Sequence, residues 1–337
     1  MIKAIFKRED YIPPIMALLI AGIVLTIGTM RYTGFGTSYA LLNLVLAFAW
    51  LGIAAAGMTF VILSGGIDLS AGSMIAFTSV FVAVLVERWG VPPALAIVIG
   101  GLTGALAGAA MGSLIHFYQL PAFMVTLGGL FLFRSLAFAL SEWTDPQHVA
   151  NQIQIVNQQI THWNDISISF GRGNGRLSLQ AMVMIVVFVV AGVVAHFTRF
   201  GRNVYAIGGD EQAAKLMGVP IGRTKILIYA LSGFCSAIAG VMSMLNKSSG
   251  NPAEFVGAEL DVITAVVLGG TLLTGGSGYI FGTICGVFVI GLIQNLIDYE
   301  GLLGAWPRII MGAMLLAAIL SQRALSKLTG GRTTAHA

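Results

Sequence analysis

Two long stretches without a charged residue constrain this chain of 337 residues more than any other feature. Thirty-six uncharged residues separate Arg31 from Asp68, and thirty-six separate Asp261 from Asp298. At ~1.5 Å of helical rise per residue, either stretch is far longer than the ~30 Å hydrocarbon core of a bilayer. Each must therefore hold more than one membrane span, or a span and a break. With 57% hydrophobic and 9% charged residues, the chain does not belong to the water-soluble classes.

Apolar runs bounded by charges, prolines and glycine clusters predict an all-α polytopic membrane protein with about ten transmembrane helices. The predicted helices are 12–30, 40–63, 73–89, 94–115, 121–140, 179–197, 225–246, 260–271, 279–297 and 304–322. The eighth is too short to span a bilayer alone. Residues 1–330 then form a single transmembrane domain with an outer loop at 141–178 and an inner loop at 198–224. Residues 331–337 are predicted to be a disordered cytoplasmic tail.

The distribution of basic residues predicts the orientation of the chain. With the N-terminus in the cytoplasm, eleven Lys and Arg residues fall inside and six fall outside, which is the positive-inside asymmetry. We therefore expect both termini in the cytoplasm. Membrane lipid is an expected partner. Nucleic acid is not, because no basic run with interleaved aromatic residues occurs.

An internal repeat connects the two halves of the chain. Residues 65–73 read GGIDLSAGS and residues 269–277 read GGTLLTGGS, which are identical at five of nine positions. Repeated breaks of this kind line the solute pathway in many transporters. Two tight turns between helices explain the glycines equally well. The repeat thus predicts either a pathway or a pair of turns.

Asp68 is the one acidic residue that the pattern places at the membrane rather than in a loop. A carboxylate within a span is costly and therefore indicates a function. Asp68 also lies just before a predicted helix, where its oxygens can accept hydrogen bonds from free N–H groups. We favour this capping role over direct contact with a solute.

The sequence has no pattern of a catalytic site. It contains no HExxH, no CxxC and no phosphate loop with its lysine. Cys235 and Cys285 have no metal-ligand spacing and are interpreted as small core residues. We therefore expect a protein that is not an enzyme and that binds no metal and no cofactor itself. An ion-coupled secondary carrier and a structural or receptor protein remain alternatives.

The inner loop contains one segment with the signals of a short surface helix. Asp210 is a good N-cap, Glu211 suits the positive end of a helix, and Lys215 suits its last turn. Gly218 and Pro220 then stop the helix. The segment Asp210 to Met217 is predicted to be a short helix shaped to fit a groove on a partner, or a solvated loop helix without one.

Three segments together resemble a known family. FGRNVYAIGGDEQAAKLMG at 200–218 resembles the coupling loop of permease subunits in bacterial ABC importers for monosaccharides, the ribose, xylose and galactose group. SGGIDLSAGS at 64–73 and GGTLLTGGSG at 269–278 resemble two further signature segments of those permeases. The resemblance covers residues 40 to 322. Within the group it is strongest to a permease of a galactofuranose importer, including GRLS before the sixth helix.

The resemblance implies a type II-like ABC importer permease and its partners. A periplasmic sugar-binding protein would deliver the sugar, and a cytoplasmic ABC ATPase, which binds ATP and Mg, would drive transport. A second permease subunit, identical or different, would complete the pathway. The implied contact with the ATPase consists of Gly208, Gly209, Asp210, Glu211, Gln212, Ala213, Ala214, Lys215, Leu216, Met217 and Gly218.

A sugar pathway needs neutral groups that both donate and accept hydrogen bonds. The neutral candidates are Asn43, Thr59, Ser64, Thr126, Thr264, Thr271, Thr274, Gln294 and Asn295. The acidic Asp68 is added to them because of its place at the first repeated segment. Each could instead bond to its own helix or to a neighbouring one. A permease for branched-chain amino acids is an alternative, although that substrate would require groups that bind a zwitterion.

The outer loop supplies candidates for contact with the binding protein. They are His148, His162, Trp163, Arg172 and Arg176. Basic residues there could meet acidic residues on the two lobes of a binding protein. The same loop could instead be an ordered cap over the pathway.

Overall fold

The structure, a computed structural model, describes residues 12–144, 152–164, 166–170, 175–302 and 305–328, and these are mostly helical. The helices are α1 (Ile12–Arg31), α2 (Ser38–Ala47), α3 (Ala49–Leu63), α4 (Ala71–Glu87), α5 (Pro93–Phe117), α6 (Ala122–Thr144), α7 (Gln158–Asn164), α8 (Leu179–Phe197), α9 (Arg199–Gly209), α10 (Glu211–Leu216), α11 (Ile221–Lys247), α12 (Ala258–Leu268), α13 (Ile280–Tyr299) and α14 (Trp306–Leu328). The strands are β1 (Ile153–Gln154), β2 (Ser167–Phe170), β3 (Gly175–Ser178) and β4 (Ser249–Gly250). The predicted all-α class is confirmed.

Many of these helices have the length and composition of membrane spans. Among the described residues, five helices are long and apolar enough to cross a bilayer: α5, α6, α8, α11 and α13. The bent pair of α2 and α3 brings the number to six, and α1, α4 and α14 contain shorter apolar stretches. The count of ten spans stays a prediction. As predicted, the helix that follows Gly257 is short, with 11 residues in α12.

The centre of the bundle is formed by α3 and α4, which other helices surround. All but one residue of α3 is buried, and so are most residues of α4. The long helix α11 packs along both of them and along α5. Its contact with α5 depends on glycine, because a Cβ on Gly108 would lie 2.0 Å from the carbonyl oxygen of Tyr229. The two backbones therefore touch, as small residues allow between membrane helices.

The prediction of one continuous helix over 40–63 is wrong. The segment forms α2 and α3, whose axes differ by 54°. The chain leaves the helical conformation at Phe48, where φ is −103° and ψ is 9°. Neither Gly nor Pro marks this position. Leu44 and Phe48 instead pack against Gly291 of α13, where an added Cβ would lie 2.9 Å from Leu44 and 3.1 Å from Phe48. We attribute the bend to this tertiary contact.

The two predicted loops contain more structure than the sequence indicated. The inner loop holds α9 in addition to the predicted short helix, and α11 begins at Ile221 rather than at 225. In the outer loop, β1 pairs antiparallel with β4, with Ile153 opposite Gly250, and β2 pairs antiparallel with β3. The amides of Val156 and Asn157 donate to Glu87 Oε1 at 3.0 and 2.8 Å. These contacts fix part of the outer loop on the end of α4.

Candidate functional site at the junction of the two chain breaks

The two repeated segments lie against each other. We call residues 64–70, between α3 and α4, the first break, and residues 269–279, between α12 and α13, the second break. The amide of Gly276 donates to the carbonyl oxygen of Leu63 at 2.9 Å. Gly65, Gly275 and Gly276 have φ values of 79°, 84° and 76°, which side chains other than glycine rarely adopt. Each segment therefore makes a glycine turn, although not at the same repeat position, and these turns meet at one place.

Helix α9 lies on this junction and contacts both breaks. A Cβ on Gly208 would lie 1.8 Å from the carbonyl oxygen of Leu63, in the peptide group that joins α3 to the first break, and 2.5 Å from the amide of Gly276 in the second break. The hydroxyl of Tyr205 donates to the carbonyl oxygen of Gly278 at 2.7 Å. Thr198 caps the start of the helix, since its Oγ1 accepts a hydrogen bond from the amide of Gly201 at 3.2 Å. Displacement of α9 would therefore disturb both breaks together.

Helix α10 follows directly and begins as the sequence predicts. Asp210 Oδ1 accepts hydrogen bonds from the amides of Gln212 and Ala213 at 2.9 and 3.0 Å, which confirms Asp210 as its N-cap. Gly218, with φ at 79°, ends the segment, and its amide donates to the carbonyl oxygen of Lys215 at 3.0 Å. The end of the bundle at which this helix lies is called the α10 end below.

The two faces of α10 differ in their surroundings. Ala214 is 0% exposed and packs with Ile207 and Ile221. Leu216 and Met217 are 90% and 72% exposed, so two large apolar side chains project from this short helix. Lys225 on α11 donates to both carboxylate oxygens of Glu211, at 2.7 and 2.8 Å. Helix α10 is thus fastened to the bundle on one side and presents an apolar face on the other.

Asp68 is buried in the first break and is fully engaged in hydrogen bonds. Its Oδ1 accepts from the amide and hydroxyl of Ser70 at 2.9 and 2.6 Å, and its Oδ2 accepts from Ser232 on α11 at 2.7 Å. The carboxylate therefore closes the turn before α4 and links the first break to α11. The predicted capping role is wrong in detail: the N-cap of α4 is Ser70, and the carboxylate of Asp68 bonds to Ser70 itself and not to an amide in the first turn of the helix.

Other predicted pathway residues near the breaks bond mainly to their own segments. Thr126 donates to its own helix and to the carbonyl oxygen of Ile67, the latter at 3.2 Å. Ser64 donates to the carbonyl oxygen of Val61 at 2.7 Å. Thr271 is buried, whereas Thr274 is exposed. These residues surround the junction of the two breaks.

The remaining pathway candidates lie elsewhere, so the structure does not gather the predicted set in one place. Thr59 shares a hydrogen bond of 2.9 Å with Thr283 between α3 and α13. Thr264 donates to the carbonyl oxygen of Leu260 in its own helix at 2.6 Å. Asn43 is exposed on α2, and Gln294 and Asn295 are partly exposed on α13.

Of the five outer-loop candidates, only His162 and Trp163 have side chains among the described residues. His148 and Arg172 lie outside the described residues, and for Arg176 only the backbone, in β3, is described. His162 and Trp163 lie on α7, where His162 is exposed and Trp163 is partly buried. Two of the five candidates are thus placed together on one short helix.

The sequence analysis did not predict that Arg134 binds backbone carbonyl oxygens at the end of the bundle opposite α10. Arg134 on α6 donates to the carbonyl oxygens of Pro252 and Phe255 at 2.8 and 2.9 Å, and also to that of Glu254. A signal for it was present, because Arg134 is the only charge in the predicted helix 121–140. Ser232 gave no such signal, since one serine in an apolar helix does not indicate a distant carboxylate.

We next consider metal-ligating groups and cysteines in the part of the chain that the structure describes. No group of three or more His, Cys, Asp or Glu side chains there is arranged to hold a metal ion. Cys235 and Cys285 are free and buried, which agrees with their interpretation as core residues.

Comparison with known proteins places this architecture among transport proteins. Residues 40–319 match the family model described as the permease component of branched-chain amino acid transport systems. The chain is 41% identical to the inner membrane ABC transporter permease protein YjfF of Escherichia coli, covering 90% of this chain and 89% of that protein. It is 38% identical to the ribose import permease protein RbsC of Bacillus subtilis, with 84% of each chain covered. It is 35% identical to the fructose import permease protein FruG of Bifidobacterium longum, over 97% of this chain and 95% of that one. No solved structure matches the chain.

Proposed function

Because the chain belongs to the family of permease components of branched-chain amino acid transport systems, we propose that it is the membrane subunit of an ATP-driven ABC importer for a monosaccharide. Membership of this family makes it a multi-pass membrane transport subunit rather than an enzyme. The choice of a sugar is supported by relatives named for the import of ribose and fructose. The carboxylate of Asp68 also supports it, because both of its oxygens already accept hydrogen bonds within the chain, whereas a zwitterionic substrate would call for charged groups that are free to bind it.

The observation that carries the proposal is the arrangement of α9 and α10 on the junction. One unit presents two apolar side chains, Leu216 and Met217, and the same unit contacts both breaks through Gly208 and Tyr205. A partner that pushes α10 would therefore move the backbone of both breaks. This is the connection that a pathway driven from outside the bilayer requires.

We assign the partner on α10 as the cytoplasmic ABC ATPase, with ATP and Mg bound by that subunit. Residues 208–218 then transmit closure of the ATPase, and Leu216 and Met217 enter its groove. Ala214 and Gly208 belong to the same segment but face the bundle, so they act by holding α9 and α10 in position. The chain accordingly lies in a bacterial inner membrane, with the α10 end and both termini on the cytoplasmic side.

On the opposite side, a periplasmic sugar-binding protein would dock on the outer loop. The proposed contact consists of His162 and Trp163 on α7 together with His148, Arg172 and Arg176 of the same loop. A second permease subunit would supply the other wall of the pathway. Within the sugar class we propose galactofuranose, on the sequence resemblance alone. The neutral pathway candidates and Asp68 stay proposed contacts of the sugar.

Uptake by the reconstituted complex tests the proposal. The chain would be placed in proteoliposomes with its ATPase, its binding protein and any second permease encoded beside it. D-ribose, D-fructose, D-galactose, which equilibrates with its furanose form in water, and L-leucine would be offered as labelled solutes. We expect ATP-dependent uptake of a sugar, no uptake of leucine, and no uptake by the chain alone. Replacement of Leu216 and Met217 by Asp should abolish uptake while the chain itself stays folded, because both side chains are exposed.

Three outcomes would contradict the proposal. Accumulation of a solute by the chain alone in response to an ion gradient would make it a secondary carrier. Uptake of leucine in place of a sugar would make it an amino acid permease. Unchanged sugar uptake by the Leu216→Asp/Met217→Asp variant would remove the role of α10 in coupling.

A further inference from the structure

A cleft at the α10 end lies within this single chain, between the first break, the connection from α5 to α6, and α11. Its volume is about 330 Å³, which is within the range of pockets for small molecules, roughly 300–1,000 Å³. Its rim includes Gln119 and Glu211, which are exposed, so the cleft opens to solvent at this end. Its floor is formed by Gly66 and Tyr229.

Tyr229 gives this cleft an unused hydrogen-bonding group. The residue is 2% exposed, and its hydroxyl has no hydrogen-bond partner within the described part of the chain. The hydroxyl lies against the first break, because a Cβ on Gly66 would lie 2.5 Å from it. A buried hydroxyl without a partner is costly. A ligand that offers an acceptor or a donor at this point would remove that cost.

The groups around the hydroxyl select the chemistry of the ligand. Glu211 and Lys225 form an ion pair at the cleft, so their charges balance. Ser64 donates to Val61 but its hydroxyl oxygen can still accept, and Gln119 donates through Nε2 to the carbonyl oxygen of His116 at 2.7 Å but retains Oε1 and a second N–H. An anion or a cation would meet no excess of opposite charge. A small neutral molecule with several hydroxyls can bond to all of these groups.

The cleft also connects the moving parts proposed for transport. Glu211 belongs to α10, Gly66 belongs to the first break, and Lys225 and Tyr229 belong to α11. A ligand bonded to groups on these elements holds them in one relative position. Such a ligand opposes any motion of α10 that changes the cleft, since it binds one arrangement more tightly than the other.

We propose that this cleft binds the transported monosaccharide from the α10 side, after its release, and that occupancy restrains α10 and lowers transport. The proposal rests on the proposed function, because that function supplies the identity of the neutral polyhydroxyl ligand. The site lies inside one chain and shares Ser64 and the first break with the proposed pathway, whereas Gln119, Glu211, Lys225 and Tyr229 belong to the cleft and not to the proposed pathway residues. It makes the permease itself a sensor of sugar accumulated on the side of the ATPase.

The test uses the complete complex in proteoliposomes with the ATPase facing the bath and the binding protein in the lumen. The probe is the sugar among D-ribose, D-fructose and D-galactose that the complex transports in the uptake assay, and lumenal probe is kept saturating. ATP hydrolysis is then measured while probe is added to the bath. We expect hydrolysis to fall several-fold at millimolar probe. In Tyr229→Phe the same inhibition should need about tenfold more probe, the effect of one lost hydrogen bond.

Tyr118→Phe is the matched control, since Tyr118 is 71% exposed at the same end and does not line the cleft. Its inhibition curve should equal that of the wild type. Gln119→Asn provides a second variant that leaves the buried core intact. Asn tolerates the φ of 54° found at this position, and it shortens the side chain on the rim, so it should also raise the probe requirement.

Two results would overturn the inference while leaving the proposed function standing. One is a wild-type complex that transports the probe but is not inhibited by it from the bath. The other is inhibition that Tyr229→Phe and Gln119→Asn leave unchanged. A complex that transports none of the three sugars would instead reject the proposed function, so the two failures are distinguishable.

Discussion

Two neighbouring glycines in α9 face opposite surroundings, and this predicts opposite effects of the same substitution. In Gly208→Ala the new methyl group would collide with the backbone of Leu63 and Gly276. Relief of that collision requires α9 to move away from both breaks, at a cost of about 1–3 kcal/mol in the free energy of unfolding. In Gly209→Ala the methyl group meets no atom of the described residues within 4 Å outside its own stretch of helix. We therefore expect no loss of stability there.

Thermal unfolding of the purified permease in nanodiscs measures both variants. A lower midpoint for Gly208→Ala beside an unchanged midpoint for Gly209→Ala would support the contact of α9 with the junction. Equal midpoints for the two variants would contradict it.

The hydrogen bond from Ser232 to Asp68 leads to a second prediction at the scale of residues. Ser232→Ala leaves a buried carboxylate oxygen with one partner fewer, which should cost about 1.5–3 kcal/mol because the acceptor is charged. Ser113→Ala is the control, since the hydroxyl of Ser113 bonds only within its own helix, to Ala109, at 2.7 Å. Its effect should stay within about 0.5 kcal/mol. Chemical unfolding of both variants checks the difference, and equal losses would show that the link to Asp68 adds no stability.

At the scale of elements, α10 separates two kinds of contact that one substitution series can distinguish. Leu216→Ala and Met217→Ala remove exposed apolar groups, so each should weaken binding of the ATPase about tenfold while the stability of the chain stays unchanged. Ala214→Leu overfills the contact with Ile207 and Ile221 and should destabilise the chain by about 1–3 kcal/mol. Co-purification with the ATPase and thermal unfolding give the two measurements. Loss of stability in Leu216→Ala would contradict the assigned faces.

The same elements show what could be predicted from the sequence. Helix α10 was predictable because its limits are local: Asp210 caps it and Gly218 ends it. Helix α9 was missed because the glycines in RFGRNVYAIGG disfavour a helix when considered alone. Gly208 is required there by a contact with Leu63 and Gly276, which are distant in sequence. The bend at Phe48 has the same kind of cause, a contact with Gly291.

In the candidate site, too, features with a local cause were predictable from the sequence and features that depend on distant contacts were not. The repeat identified both breaks, and Asp68 was recognised as a residue that serves the start of α4. The contact between the breaks was not predictable, because it depends on how α3, α9 and the second break pack together. Ser232 and Tyr229 lie seven and four residues after Lys225, so all three fall near one face of α11. Only the packing of that face against α10 and the first break gives them a role.

At the scale of the whole molecule, each end of the bundle is held by its own contacts. The α10 end is held where α9 meets the two breaks. The opposite end is held by Arg134, which binds carbonyl oxygens of residues 252–255, and by the pairing of β1 with β4. Lys247 adds an ion pair of 2.6 Å with Glu254 and lies 5.1 Å from the centre of the ring of Phe255. The connection between α11 and α12 is therefore tied to α6.

This arrangement predicts which segment unfolds locally when the hydrogen bonds of Arg134 are removed. Arg134→Ala deletes hydrogen bonds from a charged donor, at a cost of about 1.5–3 kcal/mol for the first of them. Amide hydrogen exchange in residues 251–257 should then rise at least tenfold, since local opening follows the local loss of contacts. Arg223→Ala, at an exposed arginine of the α10 end, should leave this segment unchanged. Because no contact of Arg134 reaches α9 or α10, exchange there should stay at its wild-type rate in Arg134→Ala. A parallel rise in α9 would mean that the two ends open together.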